Sequence, residues 1–222
     1  MAEQNQIWTI GRILKWTEQY FGQKGIESPR LDAEVLLSHV LGKQRIYLYV
    51  HFDEPLQAEE LALYRAMIRQ RVEHMPVAYI LGEKEFMGLT FKVTPDTLVP
   101  RPDTEVLVET VLHLDVPEDA RIVDLGTGTG AVALSIASER PDWAVTATDI
   151  YEPTLEVAQF NAEKHDLEHV RFVCGSWFKP LGREFFDVIV SNPPYIDAED
   201  AHMQDLATEP ERALVADKHG LA

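Results

Sequence analysis

Arg121-Ile-Val-Asp-Leu-Gly-Thr-Gly-Thr-Gly-Ala131 is a short apolar run that breaks into three alternate glycines and leads into the apolar-rich stretch Ala131 to Glu139. The run reads as a buried strand, and the glycines and the stretch after them read as a turn and a helix. Glycines at 126, 128 and 130 let a backbone turn lie close against a ligand. The helix behind them aims its first N–H groups at the same place, which favours a carboxylate or phosphate. The pattern then recurs. Ala144 to Asp149 reads as a second strand, followed by a helix from about Pro153 to His165. Val170 to Cys174 reads as a third strand and Phe185 to Ser191 as a fourth. Apolar strands alternating with helices predict right-handed βαβ units on a parallel sheet, an α/β, Rossmann-like architecture.

Two residue groups flank that glycine turn. Asp149 closes the second strand, 23 residues after Gly126. An acid there accepts hydrogen bonds from ribose hydroxyls in nucleotide-binding sheets. The G-x-G-x-G spacing differs from the G-x-G-x-x-G of dinucleotide binders. With Asp124 before the turn and Asp149 after the second strand, the pattern predicts a nucleoside-type ligand. Asn192-Pro-Pro-Tyr195 comes directly after the fourth strand. The carboxyl ends of parallel strands form the ligand crevice, so this tetrapeptide is expected beside the glycine turn. Its prolines remove N–H groups and leave carbonyl acceptors. Asn192 adds a carboxamide and Tyr195 an aromatic face. The set suits a planar group that bears an NH2.

Upstream, residues 1–75 read as a helical part. Thr9 caps a stripe of Ile10, Ile13, Leu14 and Phe21, and Ser28-Pro29 opens a helix that ends at Gly42. Ile46 to Val50 is a short apolar stretch, and a third amphipathic run carries Leu61, Tyr64, Ile68 and Val72. Residues 76–115 read as a hairpin linker and a connecting helix. Tyr79 to Leu81 and Leu89 to Val93 are its expected strands, joined near Met87-Gly88. The doubly proline-stiffened Leu98-Val-Pro-Arg-Pro-Asp-Thr-Glu105 opens the connecting helix. Residues 116–222 form the α/β part.

The 222 residues are 45% hydrophobic and 26% charged, an ordinary globular composition. The net charge is −17, with −5 on residues 1–115 and −12 on residues 116–222. Such an acidic balance disfavours a grip on phosphate backbones, so no direct nucleic-acid partner is expected. No apolar run is long enough to span a membrane, and the first residues lack a signal-peptide pattern. The lone Cys174 excludes an intrachain disulfide and is expected as a small buried hydrophobe. No metal site is expected among the eight histidines. Asp197 to Asp200 reads as a solvated acidic loop. A cytoplasmic, monomeric protein is the simplest expectation.

The two loops together resemble those of S-adenosylmethionine-dependent methyltransferases that act on amide or exocyclic amino nitrogens. The whole chain is similar to the HemK/PrmC family of protein-(glutamine-N5) methyltransferases, which act on peptide chain release factors. The helical N-terminal part, the Leu98 to Glu105 segment, Asp124 to Gly130 and Ser191 to Ile196 carry the resemblance. Ser176-Trp177-Phe178 fits the family's adenine-side segment, except that many members have Asp at the position of Ser176.

The resemblance implies that residues 1–75 recognise substrate and that residues 116–222 bind S-adenosylmethionine and release S-adenosylhomocysteine. Gly126, Thr127, Gly128, Thr129 and Gly130 would hold the methionine part, Asp149 the ribose, and Trp177 would pack near the adenine. Asn192, Pro193, Pro194 and Tyr195 would hold the glutamine side chain, with Asn192, Pro193 and Tyr195 as the catalytic set and Asn192 also beside the cofactor. Asp124 either binds the cofactor amino group or caps the turn. The expected substrate is the glutamine of the Gly-Gly-Gln motif in class 1 release factors. A ribosomal-protein glutamine methyltransferase, an amino-group methyltransferase of DNA or RNA bases, and a cofactor-free binding module are the alternatives. A sheet of this type has seven strands and four are readable, so the last strands, roughly 50–60 residues at ordinary unit lengths, are expected to be missing.

Overall fold

The computed structural model describes residues 7–197, 199–200, 206 and 208–216. Two compact units divide between Leu81 and Gly82.

The first unit is helical: α1 (Ile10–Gln23), α2 (Pro29–Leu41), α3 (Arg45–Val50), α4 (Ala58–Val72) and α5 (Val77–Leu81). The Thr9 side chain accepts from the Arg12 N–H at 3.4 Å, which starts α1. Gly42 ends α2 in the left-handed conformation at φ +60°, which a glycine tolerates without a Cβ clash. Ser28 precedes Pro29 at the start of α2 but makes no side-chain cap. Ile10, Ile13, Leu14, Phe21, Leu36 and Leu37 are buried in one core with Leu48, Tyr64 and Ile68. Beside it, Glu34 is only 1% exposed and takes hydrogen bonds from Arg30, Arg45 and Tyr49.

The second unit begins with the hairpin β1 (Glu83–Phe86) and β2 (Leu89–Lys92) and continues through α6 (Glu105–Leu112). It ends in β3 (Arg121–Leu125), α7 (Ala131–Glu139), β4 (Ala144–Asp149), α8 (Glu152–Lys164), β5 (Arg171–Cys174) and β6 (Val188–Ser191). The sheet is parallel in the order β5-β4-β3-β6. Alternate residues face opposite sides. Ile122, Val145, Ala147 and Val190 join the core beneath the helices, while Val123 and Leu125 face Leu181 on the other side.

Four sequence expectations change. Tyr79 to Leu81 is not a strand but the end of α5. The Tyr79 and Ile80 N–H groups both bond Pro76 O, so the apolar run closes a helical turn. A short apolar run fits either element by periodicity alone. The partner of β2 is Glu83–Phe86, in the register Phe86↔Leu89, and the Met87-Gly88 turn joins them with φ +48° and +75°. Second, the helical unit runs to Leu81 rather than 75. Residues 76–115 are not a separate linker: Phe86, Phe91, Val108 and Val111 lie in the core of the second unit. Third, the fourth strand is shorter than Phe185–Ser191, and Phe185 is exposed. Fourth, Cys174 is exposed, at the end of β5, which among the described residues is an edge strand paired only with β4. Ala198, His202 and His219, on which expectations were also placed, lie outside the described residues. Among the described residues no helix is long and apolar enough to cross a membrane, and no three potential metal ligands gather.

Candidate functional site

The register brings four strand ends to one edge. Leu125 lies opposite Thr148 on one side and Ser191 on the other, and Asp149 lies opposite Cys174. The loops after these strands therefore line up side by side. Chain order runs outward from β3 to β5 and then returns to β6 on the far side of β3. That reversal between β3 and β6 is where open α/β sheets bind ligands.

A cavity of about 520 Å³ opens there, within the range of small-molecule sites. Gly126, Thr127, Gly128 and Thr129 line it, as do Asp149, Trp177, Asn192, Pro193 and Pro194. Gly130 and Tyr195 do not line it. Gly130 is instead a packing glycine: a Cβ there would meet Leu134 Cδ1 at 3.0 Å and Ala158 Cβ at 3.3 Å. Tyr195 is 68% exposed and borders a second cavity, of about 460 Å³. The two cavities share Leu98, Arg101, Thr104, Asn192, Pro193 and Ala213, so the Asn192-Pro193 peptide stands between them.

The glycine turn is held from behind. Gly126 and Thr127 N–H groups both donate to Thr148 O, at 2.9 and 2.8 Å. The Thr127 hydroxyl donates to Asp124 Oδ2 at 2.6 Å. Gly126 and Gly128 have φ of +75° and +58°, and a Cβ on either would meet nothing within 4 Å. The turn is thus a cradle whose open side a side chain would fill.

Asp149 joins this turn to the next loop. Its Oδ2 accepts from Gly128 N–H and its Oδ1 from Tyr151 N–H, both at 3.1 Å. Each oxygen keeps a second lone pair for a ligand hydroxyl. Asp124 is 2% exposed. Burial pushes its carboxyl up to about 6, against hydrogen bonds from Thr127 and the Ala133 amide, and the nearby Asp149 charge adds to the rise. Two carboxylates on a glycine cradle suit a ligand that carries positive charge, so the residues present fit a sulfonium nucleoside with an ammonium group.

Trp177 lies on the adjoining loop with φ +51°, a conformation that costs a bulky residue about 1–2 kcal/mol. Gly175 before it leaves no room for a Cβ, which would meet the Pro180 ring at 2.8 Å. The loop therefore holds an indole in an unfavourable backbone geometry at the cavity wall.

Sequence reasoning assigned no site role to several lining residues. Thr104 Oγ1 accepts from Asn192 Nδ2 at 3.3 Å. Arg101 pairs with Glu209 Oε1 at 2.6 Å. Arg212 lies 4.5 Å from the Tyr151 ring centroid and donates to Asp96 O at 3.0 Å. Val215 bridges in parallel to Ile196, which sets the segment after Glu209 along the Asn192 loop. The prolines around Arg101 were the available signal; its partner lay more than 100 residues away.

A parallel sheet that offers a cationic nucleoside a cradle on one side of its switch point, and a planar NH2 group an acceptor-rich loop on the other, is that of a Rossmann-like, S-adenosylmethionine-dependent methyltransferase. Residues 12–82 match the PrmC N-terminal domain and residues 102–217 the methyltransferase small domain. The release factor glutamine methyltransferase of Coxiella burnetii is 47% identical, over 88% of this chain and 71% of its own length. That of Geobacter sulfurreducens is 44% identical over 100% and 78%, and that of Escherichia coli 42% over 93% and 76%. The chain belongs to the release factor glutamine methyltransferase family.

Proposed function

We propose that this protein transfers a methyl group from S-adenosylmethionine to the side-chain amide nitrogen of the Gly-Gly-Gln glutamine in class 1 release factors. The observation that carries the reading is the placement of Asn192-Pro193 between two cavities, one with the glycine cradle and the other open beside Tyr195. Family membership supports the same substrate class.

When bound, the cofactor supplies a methyl already activated on a sulfonium. Gly126 to Thr129 hold its amino-acid part, Asp149 its ribose hydroxyls, and Trp177 the adenine side. An amide nitrogen is a poor nucleophile because its lone pair is delocalised into the carbonyl. The Asn192 Oδ1 and the Pro193 carbonyl accept its two N–H groups, which raises electron density on nitrogen and aims it at the first cavity. Pro194 stiffens the loop and Tyr195 packs on the plane of the amide. Positioning supplies most of the acceleration, and no dedicated base is required because the nitrogen loses its proton late.

The helical unit is proposed to recognise the substrate protein. Ile46, Tyr49, Val50 and Phe52, on and just after α3, leave apolar surface exposed. The acidic catalytic unit supports a protein substrate over a nucleic acid. Incubation with radiolabelled S-adenosylmethionine and, separately, a release factor, a ribosomal protein and DNA or RNA tests the reading. Label is expected in the release factor; label only in nucleic acid or only in ribosomal protein overturns it.

A further inference from the structure

The Leu98 to Glu105 segment has no part in the chemistry above, yet four of its polar groups reach three separate parts of the catalytic unit. Arg101 donates to Glu209 Oε1 at 2.6 Å, and the Val99 N–H donates to Glu209 Oε2 at 3.4 Å. Glu105 Oε1 accepts from Met87 N–H at 3.0 Å, at the tip of the hairpin. Between these two braces the short turn Pro102–Thr104 is closed by Thr104 N–H donating to Arg101 O at 3.0 Å. Thr104 Oγ1 is thereby held where Asn192 Nδ2 donates to it, at 3.3 Å. The Glu209 carboxylate is nearly buried, so its pairing with Arg101 fixes the segment rather than decorating the surface.

We propose that Thr104 is a positioning residue that sets the orientation of the Asn192 carboxamide. The inference rests on the reading that Asn192 Oδ1 accepts a substrate N–H. A carboxamide has nearly the same shape at both ends, and a half-turn about its last side-chain bond exchanges an acceptor for two donors. With the NH2 turned to the substrate, donors would face donors and the amide could not be held. In this arrangement Thr104 Oγ1 accepts from the NH2 end, and the carbonyl end is the one left for the substrate. Because two braces fix Thr104 from both sides, this choice is made before the substrate arrives, and the ordering cost is removed from the bound state.

Steady-state kinetics on a release factor substrate, with cofactor affinity by calorimetry and thermal midpoint alongside, tests the proposal. Thr104→Val keeps the shape and removes the hydroxyl; Thr104→Ser keeps the hydroxyl and removes the methyl. Thr104→Val is expected to lower kcat about 10- to 100-fold. Its KM for cofactor, calorimetric affinity and melting temperature should stay near wild type, and Thr104→Ser should stay near wild-type kcat. If Thr104→Val does not fold, Thr104→Ala carries the same expectation. Wild-type kcat in Thr104→Val, or equal loss in the Val and Ser variants, overturns the proposal. Asn192→Ala separates the two levels. If it is inactive while Thr104→Val is unimpaired, only the role of Thr104 falls. If Asn192→Ala keeps full turnover, the reading of Asn192 falls and the role of Thr104 with it.

Discussion

Glu34 in the helical unit and Asp124 in the catalytic unit are both buried carboxylates, and their surroundings differ in kind. Burial alone would raise Glu34, but hydrogen bonds from Tyr49, Arg45 and Arg30 outweigh it and hold the carboxyl below its ordinary value. Three side-chain donors close around it. Asp124 has one hydroxyl and one backbone amide for company, a second carboxylate nearby, and a cavity on its open side. Its carboxyl is raised instead. A buried charge that only has to hold the fold together is satisfied from within. A unit that has to bind leaves part of that satisfaction to a ligand. The charge balance shows the same division: 9 basic and 10 acidic residues up to Leu81, against 11 and 27 from Gly82 onward.

Substitutions on the two sides should separate turnover from stability. The largest effect is expected at Asn192: Asn192→Ala should lower kcat about 10³-fold, with cofactor affinity by calorimetry largely retained. Equal loss of both would move Asn192 from the substrate to the cofactor. On the other side, Glu34→Ala should lower unfolding free energy by about 2 kcal/mol in denaturant titrations, since it removes a buried acceptor from three donors while the half-exposed arginines left behind can be solvated. Turnover per folded molecule should not change. A catalytic loss without a stability loss would break the contrast between the units.

The pH dependence of stability should have opposite signs in the two places. Glu34, lowered in the fold, contributes stability that is present above its ordinary value near 4.5 and is lost as the pH falls through the folded value. Asp124 rises from 3.8 to about 6 in the fold, so folding binds a proton between those values. Its contribution is therefore lost as pH rises from about 4 to about 6. The loss should be at most about 2 kcal/mol, because the open cavity screens the charge. Asp124→Asn should remove that fall from the curve of melting temperature against pH, and a curve parallel to wild type would refute the assignment. The smallest effect is expected at Gly128→Ala. Its Cβ enters the cradle at a φ that alanine resists, and cofactor affinity should drop about tenfold. An unchanged affinity would show that the cradle does not face the ligand.

Much of the α/β unit was legible because its signals are local. The runs at Arg121–Leu125 and Ala144–Asp149 and the helix Ala131–Glu139 lie where hydrophobic patterning and turn residues place them. Tyr79 to Leu81 reads as a strand because so short an apolar run satisfies both periods, and only the bonds to Pro76 O distinguish them. Cys174 was expected inside because a small apolar side chain ending a strand is ordinarily covered. Strand order decided otherwise, since among the described residues β5 has a neighbour on one side only.

By itself the sequence determined which backbone positions can take left-handed turns, which loops come after which strands, and which residue types carry acceptors. These depend on covalent geometry and nearest neighbours. Only the tertiary structure decided that Gly130 packs against α7 while Gly126 and Gly128 face the cavity, and that Tyr195 borders the second cavity rather than the first. It alone brought Thr104 to Asn192 across 88 residues and Arg101 to Glu209 across 108. Such pairings leave no local period in the chain, because they form only when strand order and packing bring distant segments within hydrogen-bond distance.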